Sequence, residues 1–385
     1  MIIQSLSGHR KSRNMAWQII AVVVIVAIMG WMFQNAQQNY EVRNLNFGWD
    51  FLTRSGNIPI GETLVAYATG DANYRVFVVG LLNTILVAVI GIALSTLFGT
   101  ILGIARLSGN MIASRAALSY VEYVRNVPLL AHLFIIYFLL QKLPPIRSAW
   151  SLGDLAYLSN RGLVVPALSG GAFSNTFLVA SLIFLTIALF SHLLRRTTVG
   201  VGTFPTSILI FATKAGLILS AISLVCFSAS MEVSIPQFDR RRFVGGWSVT
   251  PEFLSIVLGL TIYYSSFIAE IVRGGILSVP RGQWESAAAL GLKRQQSLRL
   301  VVLPQALRLI IPPATSQYLD LAKMTSLAIV IGFPDLVSVT NSIINDTGRA
   351  IEAVALIMFA FLMINLTISI FMNWLNGRVA LVGRS

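Results

Sequence analysis

The sequence predicts an all-α, polytopic membrane protein with about eight transmembrane helices, and three observations carry that reading. Hydrophobic residues make up 56% of the chain and charged ones only 11%, with a mean hydropathy of +0.76, which no soluble globular domain matches. Uncharged apolar runs recur at the length of roughly 20 residues that a spanning helix needs. The basic residues sit mostly in alternate polar segments between those runs, as they do in chains that cross a bilayer repeatedly.

Residues 1–14 carry Arg10, Lys11 and Arg13 and precede the apolar run Met15–Phe33. A signal peptide starts in the same way, but Asn35-Ala36-Gln37-Gln38 offers no convincing small-residue cleavage site. The first run therefore reads as an uncleaved span with a cytoplasmic N-terminus. Tyr40–Arg75, with Asp50, Glu62 and Asp71, reads as an external loop or surface helix. Val76–Ala105 has no charge over 30 residues, so it is tilted or extends past the hydrocarbon. Tyr120–Gln141 is the third span, bent at Pro128. Leu143–Ser174 is rich in Gly, Pro and Ser and reads as extramembranous. Phe177–Leu194 and Ser207–Met231 are the fourth and fifth spans, and Glu232–Thr250 is polar. Pro251–Leu277, Pro312–Phe333 and Ile351–Leu375 are the sixth, seventh and eighth, with a polar loop at Pro334–Ala350.

This topology accounts for the net charge of +13. It puts 18 of the 28 Lys and Arg, but only Glu122, Glu270, Glu285 and Asp320 among the acids, on the cytoplasmic side. The basicity is thus the positive-inside asymmetry and no nucleic-acid footprint. Arg240-Arg241-Arg242, on the outer side, departs from the rule. A single Cys226 excludes an internal disulfide framework, and His9, His132 and His192 are too scattered for a metal site.

Arg281–Pro313 lies between two apolar spans yet is too polar to sit in a bilayer. Glu285 to Leu290 suit a short helix of small side chains, about 12 Å for two turns, and Gly291 can end it in the left-handed conformation. Pro304 is expected to break the next apolar-periodic piece. Small side chains leave a flat knob that fits a groove of another protein, and Arg281, Lys293, Arg294, Arg299 and Arg308 make it basic.

These residues resemble a family motif. Glu285, Ala287 and Gly291, then nine residues, then Val301-Val302-Leu303-Pro304, resemble the EAA loop of ABC-importer permeases, with Ser286 for the middle Ala and Val301 for Ile. The flanks GGILSVPRGQWE, VVLPQALRLIIPP and KMTSLAIVIGFPDLVSV resemble the polar amino-acid (HisM/HisQ-like) branch, most closely the Q-type permease subunit of general L-amino-acid importers. The resemblance implies a five-helix type I core in two parts, 76–141 and 251–380, with the coupling loop at 281–313. Residues 1–75 then add a helix and an external loop, and 142–250 are an insertion with two further spans. It also implies that Glu285, Ala287, Ala288, Gly291, Leu303 and Pro304 couple the chain to an ATPase. The implied partners are two ATP-binding subunits, a second and homologous permease subunit, and a periplasmic substrate-binding protein. The implied setting is a bacterial inner membrane, with both termini cytoplasmic and an amino acid as substrate.

Polar groups inside spans are costly and usually face a bundle interior or a wet cavity. Gln317, Asp320, Lys323, Thr325 and Ser326 are such a set, and Asp320 and Lys323, three apart, share a helix face. The bland reading is a buried pair, or Lys323 snorkelling to the surface. In the family this segment lines the path and often reads K-D-T-S-L; Met324 stands here in place of the acid, which argues against a strongly cation-selective site. Asn83-Thr84 resembles the family's path-lining N-T-L element, and its bland reading is interhelical hydrogen bonding. Glu270 and Arg273 read as a structural pair anchoring the coupling loop.

No G-x-x-x-x-G-K-[ST] occurs, and Gly200-Val201-Gly202 has Pro205 where a third glycine would stand. With no triad, metal motif or redox pair either, the chain is expected to be no enzyme and to carry no cofactor. ATP and Mg would be held by the partner ATPase. One rival is an ion-gradient-driven secondary transporter, which would need coupling-ion carboxylates in broken helices and often inverted repeats. Another is a non-transporting scaffold, which leaves the polar residues of spans two and seven unexplained.

Overall fold

A computed structural model describes residues 2–42, 48–153, 155–170, 181, 184, 188, 206–229, 231–239 and 242–379. The longer helices are α1 (Ile2–Val42), α2 (Asn73–Ala105), α3 (Met111–Asn126), α4 (Leu129–Gln141), α5 (Thr206–Ala229), α6 (Pro251–Leu277), α7 (Arg281–Ala289), α8 (Leu303–Met324), α9 (Leu336–Thr347) and α10 (Ala350–Val379). Among the described residues, five helical stretches are long and apolar enough to cross a membrane: 17–42, 73–105, 251–277, 294–331 and 350–379. The pair α3–α4 makes a sixth crossing if it counts as one span. The helical, polytopic class read from composition is thus the one found. The expected fourth span, Phe177–Leu194, lies almost entirely outside the described residues; α5 is helical where the fifth is expected, but its apolar stretch Thr213–Ser228 is shorter than a membrane crossing.

Four details differ from the sequence reading. The third span is not one bent helix. Val127 is extended before Pro128, as the residue preceding a proline prefers to be, and α3 and α4 meet at 104°. Pro304 does not break its helix. A π-turn at Leu298–Val302 precedes it, and Pro304 falls in the first turn of α8, where its missing N–H has no partner to lose. The segment Pro334–Ala350 is mostly helical rather than a loop: Asp335 caps α9 by accepting from the N–H groups of Val337 and Ser338, and Gly348 ends it. The stretch Leu143–Ser174 contains strands.

The packing divides into two units, residues 1–108 with 268–385, and residues 109–267. In the first unit, Ile268 and Val272 of α6 pack with Val302, Ala306, Ile310, Ala314 and Tyr318 along α8 and with Met372 of α10. A smaller cluster joins Phe51 and Ile58 of the N-terminal loop to Val76 of α2 and to Val339 and Ile343 of α9.

The second unit adds antiparallel strands to α3, α4 and α5. Strands β1 (Trp150–Leu152), β2 (Ala156–Ser159) and β3 (Gly162–Val165) form a sheet closed by β8 (Trp247–Val249), with Val165 opposite Trp247. Strand β4 (Ala167–Gly170) pairs with β5 (Met231–Ser234), and β6 (Gln237–Asp239) pairs with β7 (Arg242–Val244). Chain entering the 142–250 segment is therefore hydrogen-bonded to chain leaving it.

Candidate functional site

The polar stretch after α6 folds into a surface helix. Trp284 and Ala287, three apart, make its inward stripe, and Ala287 is buried. Glu285, Ser286, Ala288, Ala289 and Leu290 face outward, so the exposed side is built mainly of small side chains around one carboxylate. Gly291 ends α7 at φ +75°; its N–H donates to the Ala288 carbonyl at 2.9 Å and the Leu292 N–H to that of Ala287 at 3.1 Å. That pair of bonds is the Schellman closure, which needs a left-handed residue at this point.

Two contacts fix α7 to the body of the first unit. Gln305 Nε2 of α8 donates to Gln283 Oε1 at 3.1 Å, and Trp284 packs against the α6–α8–α10 core. A cavity of about 360 Å³ opens beside the helix, lined by Trp284, Ala288, Leu292, Arg294 and Ser297. Leu303 is exposed and Pro304 half-buried at the start of α8. Farther along α8, Arg308 Nε donates to the Val379 carbonyl at the end of α10.

Glu270 and Arg273 form the ion pair read from their spacing, at 3.1 Å. Sequence reasoning missed a third member, Arg106, which ends α2 and also pairs with Glu270. Its one signal was position, as the first charge after the 30-residue uncharged run. The two helices meet closely here. A Cβ on Gly103 would lie 2.8 Å from the Ala269 carbonyl oxygen and 2.9 Å from Val272 Cβ.

The polar residues inside the spans fall into two groups. Asn83 and Thr84 are buried and hold the chain before α9: Asn83 Nδ2 donates to the carbonyls of Glu62 and Pro334, both at 3.0 Å, and Thr84 Oγ1 accepts from Leu336 N–H at 2.9 Å. On α8, Ser316, Asp320 and Lys323 are exposed in one stripe, with Gln317 half-buried beside them. Thr325 and Ser326 return their hydroxyls to the Ala322 and Lys323 carbonyls at 2.9 and 2.8 Å, where α8 tightens into a 3-10 turn, Thr325–Ile331. Tyr318, unremarked in the sequence, shares a 2.8 Å hydrogen bond with Thr96 of α2.

Asp335, a capping residue by its place before α9, gave no sign in the sequence of how deeply it is buried. It is fully buried, and burial pushes its carboxyl up to about 7 despite the N–H groups of Ser338 and Val337. A carboxyl raised by folding favours the native state below the unfolded value of 3.8, and that contribution is lost as pH rises through about 7. Asp335→Asn keeps a capping oxygen and removes the charge. Thermal unfolding in detergent should therefore show the variant gaining on wild type between pH 5 and pH 8, by on the order of 2–3 kcal/mol. A pH-independent difference would contradict this.

Comparison with known proteins gives concordant matches. Residues 203–381 match the family described as the binding-protein-dependent transport system inner membrane component. The chain is 42% identical to a putative amino-acid ABC transporter permease of Escherichia coli K12, over 96% of this chain and 95% of that one. It is 41% identical to a general L-amino acid transport system permease of Rhizobium johnstonii, over 97% and 94%. It is 34% identical to a glutamate/glutamine/aspartate/asparagine transport system permease of Rhodobacter capsulatus, over 97% and 95%.

Proposed function

Since the chain belongs to the permeases of amino-acid ABC transporters, we propose that it is the membrane-spanning subunit of an ATP-driven importer of amino acids. The observation that carries the mechanism is α7. It is a short helix with an exposed face of small side chains, closed at its C-terminal end by the Gly291 turn and tied to α8. Motion of an ATPase reaches a membrane only through a stiff contact, and this helix supplies one. Glu285, Ala288 and the Gly291 turn would seat in a groove of the ATP-binding partner with Leu303 and Pro304 completing the coupling loop, while Gln283, Trp284 and Ala287 hold the helix on the body of the protein. The full assembly on this reading has two such ATPases holding ATP and Mg, a second, homologous permease subunit and an external substrate-binding protein.

The basic polar segments favour a cytoplasmic side for α7 and both termini, in a bacterial inner membrane. The ladders of β3 with β8 and β4 with β5 support the rest of the topology. Strands that pair outside the membrane lie on one side of it, which agrees with the two crossings proposed for the chain between them.

Substrate would pass the stripe of Ser316, Gln317, Asp320 and Lys323, because charges on a membrane helix need water, a partner or a polar ligand. Asn83 and Thr84 would shape the outer end of that path through the backbone bonds they make. Asp320→Asn should change the relative uptake of acidic, neutral and basic amino acids several-fold with the yield of assembled complex unchanged. Unaltered uptake of all three classes would remove Asp320 from the path. The reading as a whole is tested by vesicles loaded with ATP while the ion gradient is collapsed. Uptake that persists supports it, and uptake that follows the gradient favours a secondary transporter.

A further inference from the structure

His132 lies in the first turn of α4, just beyond the break at Pro128, and is only 7% exposed. Its Nδ1 is 3.1 Å from the Pro128 carbonyl oxygen. A carbonyl only accepts, so Nδ1 donates, and in that tautomer Nε2 is the ring's acceptor atom. That Nε2 is buried with no hydrogen-bond partner. Tyr123 of α3 and Tyr263 of α6 stand edge-on to the imidazole, with ring centroids 6.5 and 6.1 Å away. The next residue, Leu133, is fully buried against Gly259 of α6, which fixes the turn that carries the histidine. An ordinary core histidine has both nitrogens satisfied; this one is held firmly with one nitrogen wanting a donor.

We propose that His132 Nε2, between Tyr123 and Tyr263 at the broken α3–α4 span, accepts a hydrogen bond from the α-ammonium group of the transported amino acid. The inference rests on the amino-acid importer reading. An acceptor calls for an N–H or O–H donor, and the α-ammonium is the donor common to acidic, neutral and basic amino acids. Nε2 is sealed here, so the site opens with movement at the Val127–Pro128 break, where two helices meet at 104° instead of continuing one. Broken helices are where transporters commonly hold polar substrates.

The test uses the complete permease–ATPase complex in lipid nanodiscs, without the binding protein, so that only the membrane path is read. The chain has 3 histidines, and with 15N-histidine labelling the His132 signals are those lost in His132→Gln. L-glutamate, L-leucine and L-glutamine are titrated, each against its counterpart lacking the amine. The Nε2 resonance should move with the amino acids and stay in place with the deamino acids. In transport by the complete system, His132→Leu should raise KM about tenfold, as expected for losing a hydrogen bond to a charged group, with His132→Gln between it and wild type. An unmoved resonance at saturating amino acid, or an equal shift with both members of each pair, overturns the proposal. Absence of ATP-dependent amino-acid uptake by the wild-type complex would instead overturn the importer reading beneath it.

Discussion

Gly291→Val is expected to leave the chain in the membrane while substrate-stimulated ATP hydrolysis falls about tenfold, from a backbone penalty of roughly 1–2 kcal/mol. No atom lies within 4 Å of where the new Cβ would sit, so a clash cannot be the cause. The cause is φ +75°, which a β-branched residue avoids. Relaxing that angle breaks the N–H bonds to Ala287 and Ala288, and a helix of 9 residues is too short to persist on propensity alone. Gly282→Ala is the control: the same helix, open space and no left-handed backbone, so coupling should be retained. Glu285→Lys attacks the exposed face without touching the fold and should reduce co-purification of the ATPase. If Gly291→Val and Glu285→Lys both keep wild-type docking, hydrolysis and transport, α7 is not the coupling element.

Gly103→Val should destabilise the protein by about 3 kcal/mol, the upper range for overpacking a close helix contact. Its Cβ would meet the Ala269 carbonyl, a backbone atom that no rotamer change can move. Relief requires α2 and α6 to part, which also pulls Arg106 from Glu270 at the point where α6 leads toward α7. Thermal unfolding in detergent should show a drop of several degrees for the variant, whereas Gly109→Ala, in open space, should match wild type. A Gly103→Val protein with an unchanged midpoint would mean that the two helices have slack between them.

Features governed by composition and local chemistry are legible in the sequence. The apolar runs mark the spans, the alanine-rich helix ending in glycine marks α7 and its turn, and Pro128 marks a break. Features that depend on partners distant in sequence, or on atypical backbone, are not. The start and end of α9 can be read from Asp335 and Gly348, but its polar content between two spans looks like a loop. The short strands have no apolar alternation of their own and are defined by pairing across some 80 residues, Val165 with Trp247. Pro304 misleads because a π-turn shifts the hydrogen bonds that the proline would otherwise interrupt. Of the site, Glu270 with Arg273 can be read from an i,i+3 spacing, whereas Arg106, 164 positions from Glu270, cannot. His132 is one of three scattered histidines in the sequence. Only the three-dimensional arrangement shows one of its nitrogens bonded and the other alone.

The pairing of β3 with β8 bears on how such a chain could have grown. Residues opposite one another in an antiparallel ladder have Cα atoms about 5 Å apart. Val165 and Trp247 are such a pair, so the chain goes out and returns to nearly the point it left. An excursion whose entry and exit coincide can be spliced in or out of a gene without stretching the scaffold that flanks it. With two crossings inside it, as the importer reading proposes, every later span would keep its orientation either way. If 142–250 is an insertion, as the importer reading proposes, a segment closed by its own hydrogen bonds would be a self-contained cassette, and its acquisition would cost the ancestral scaffold little more than one interrupted connection.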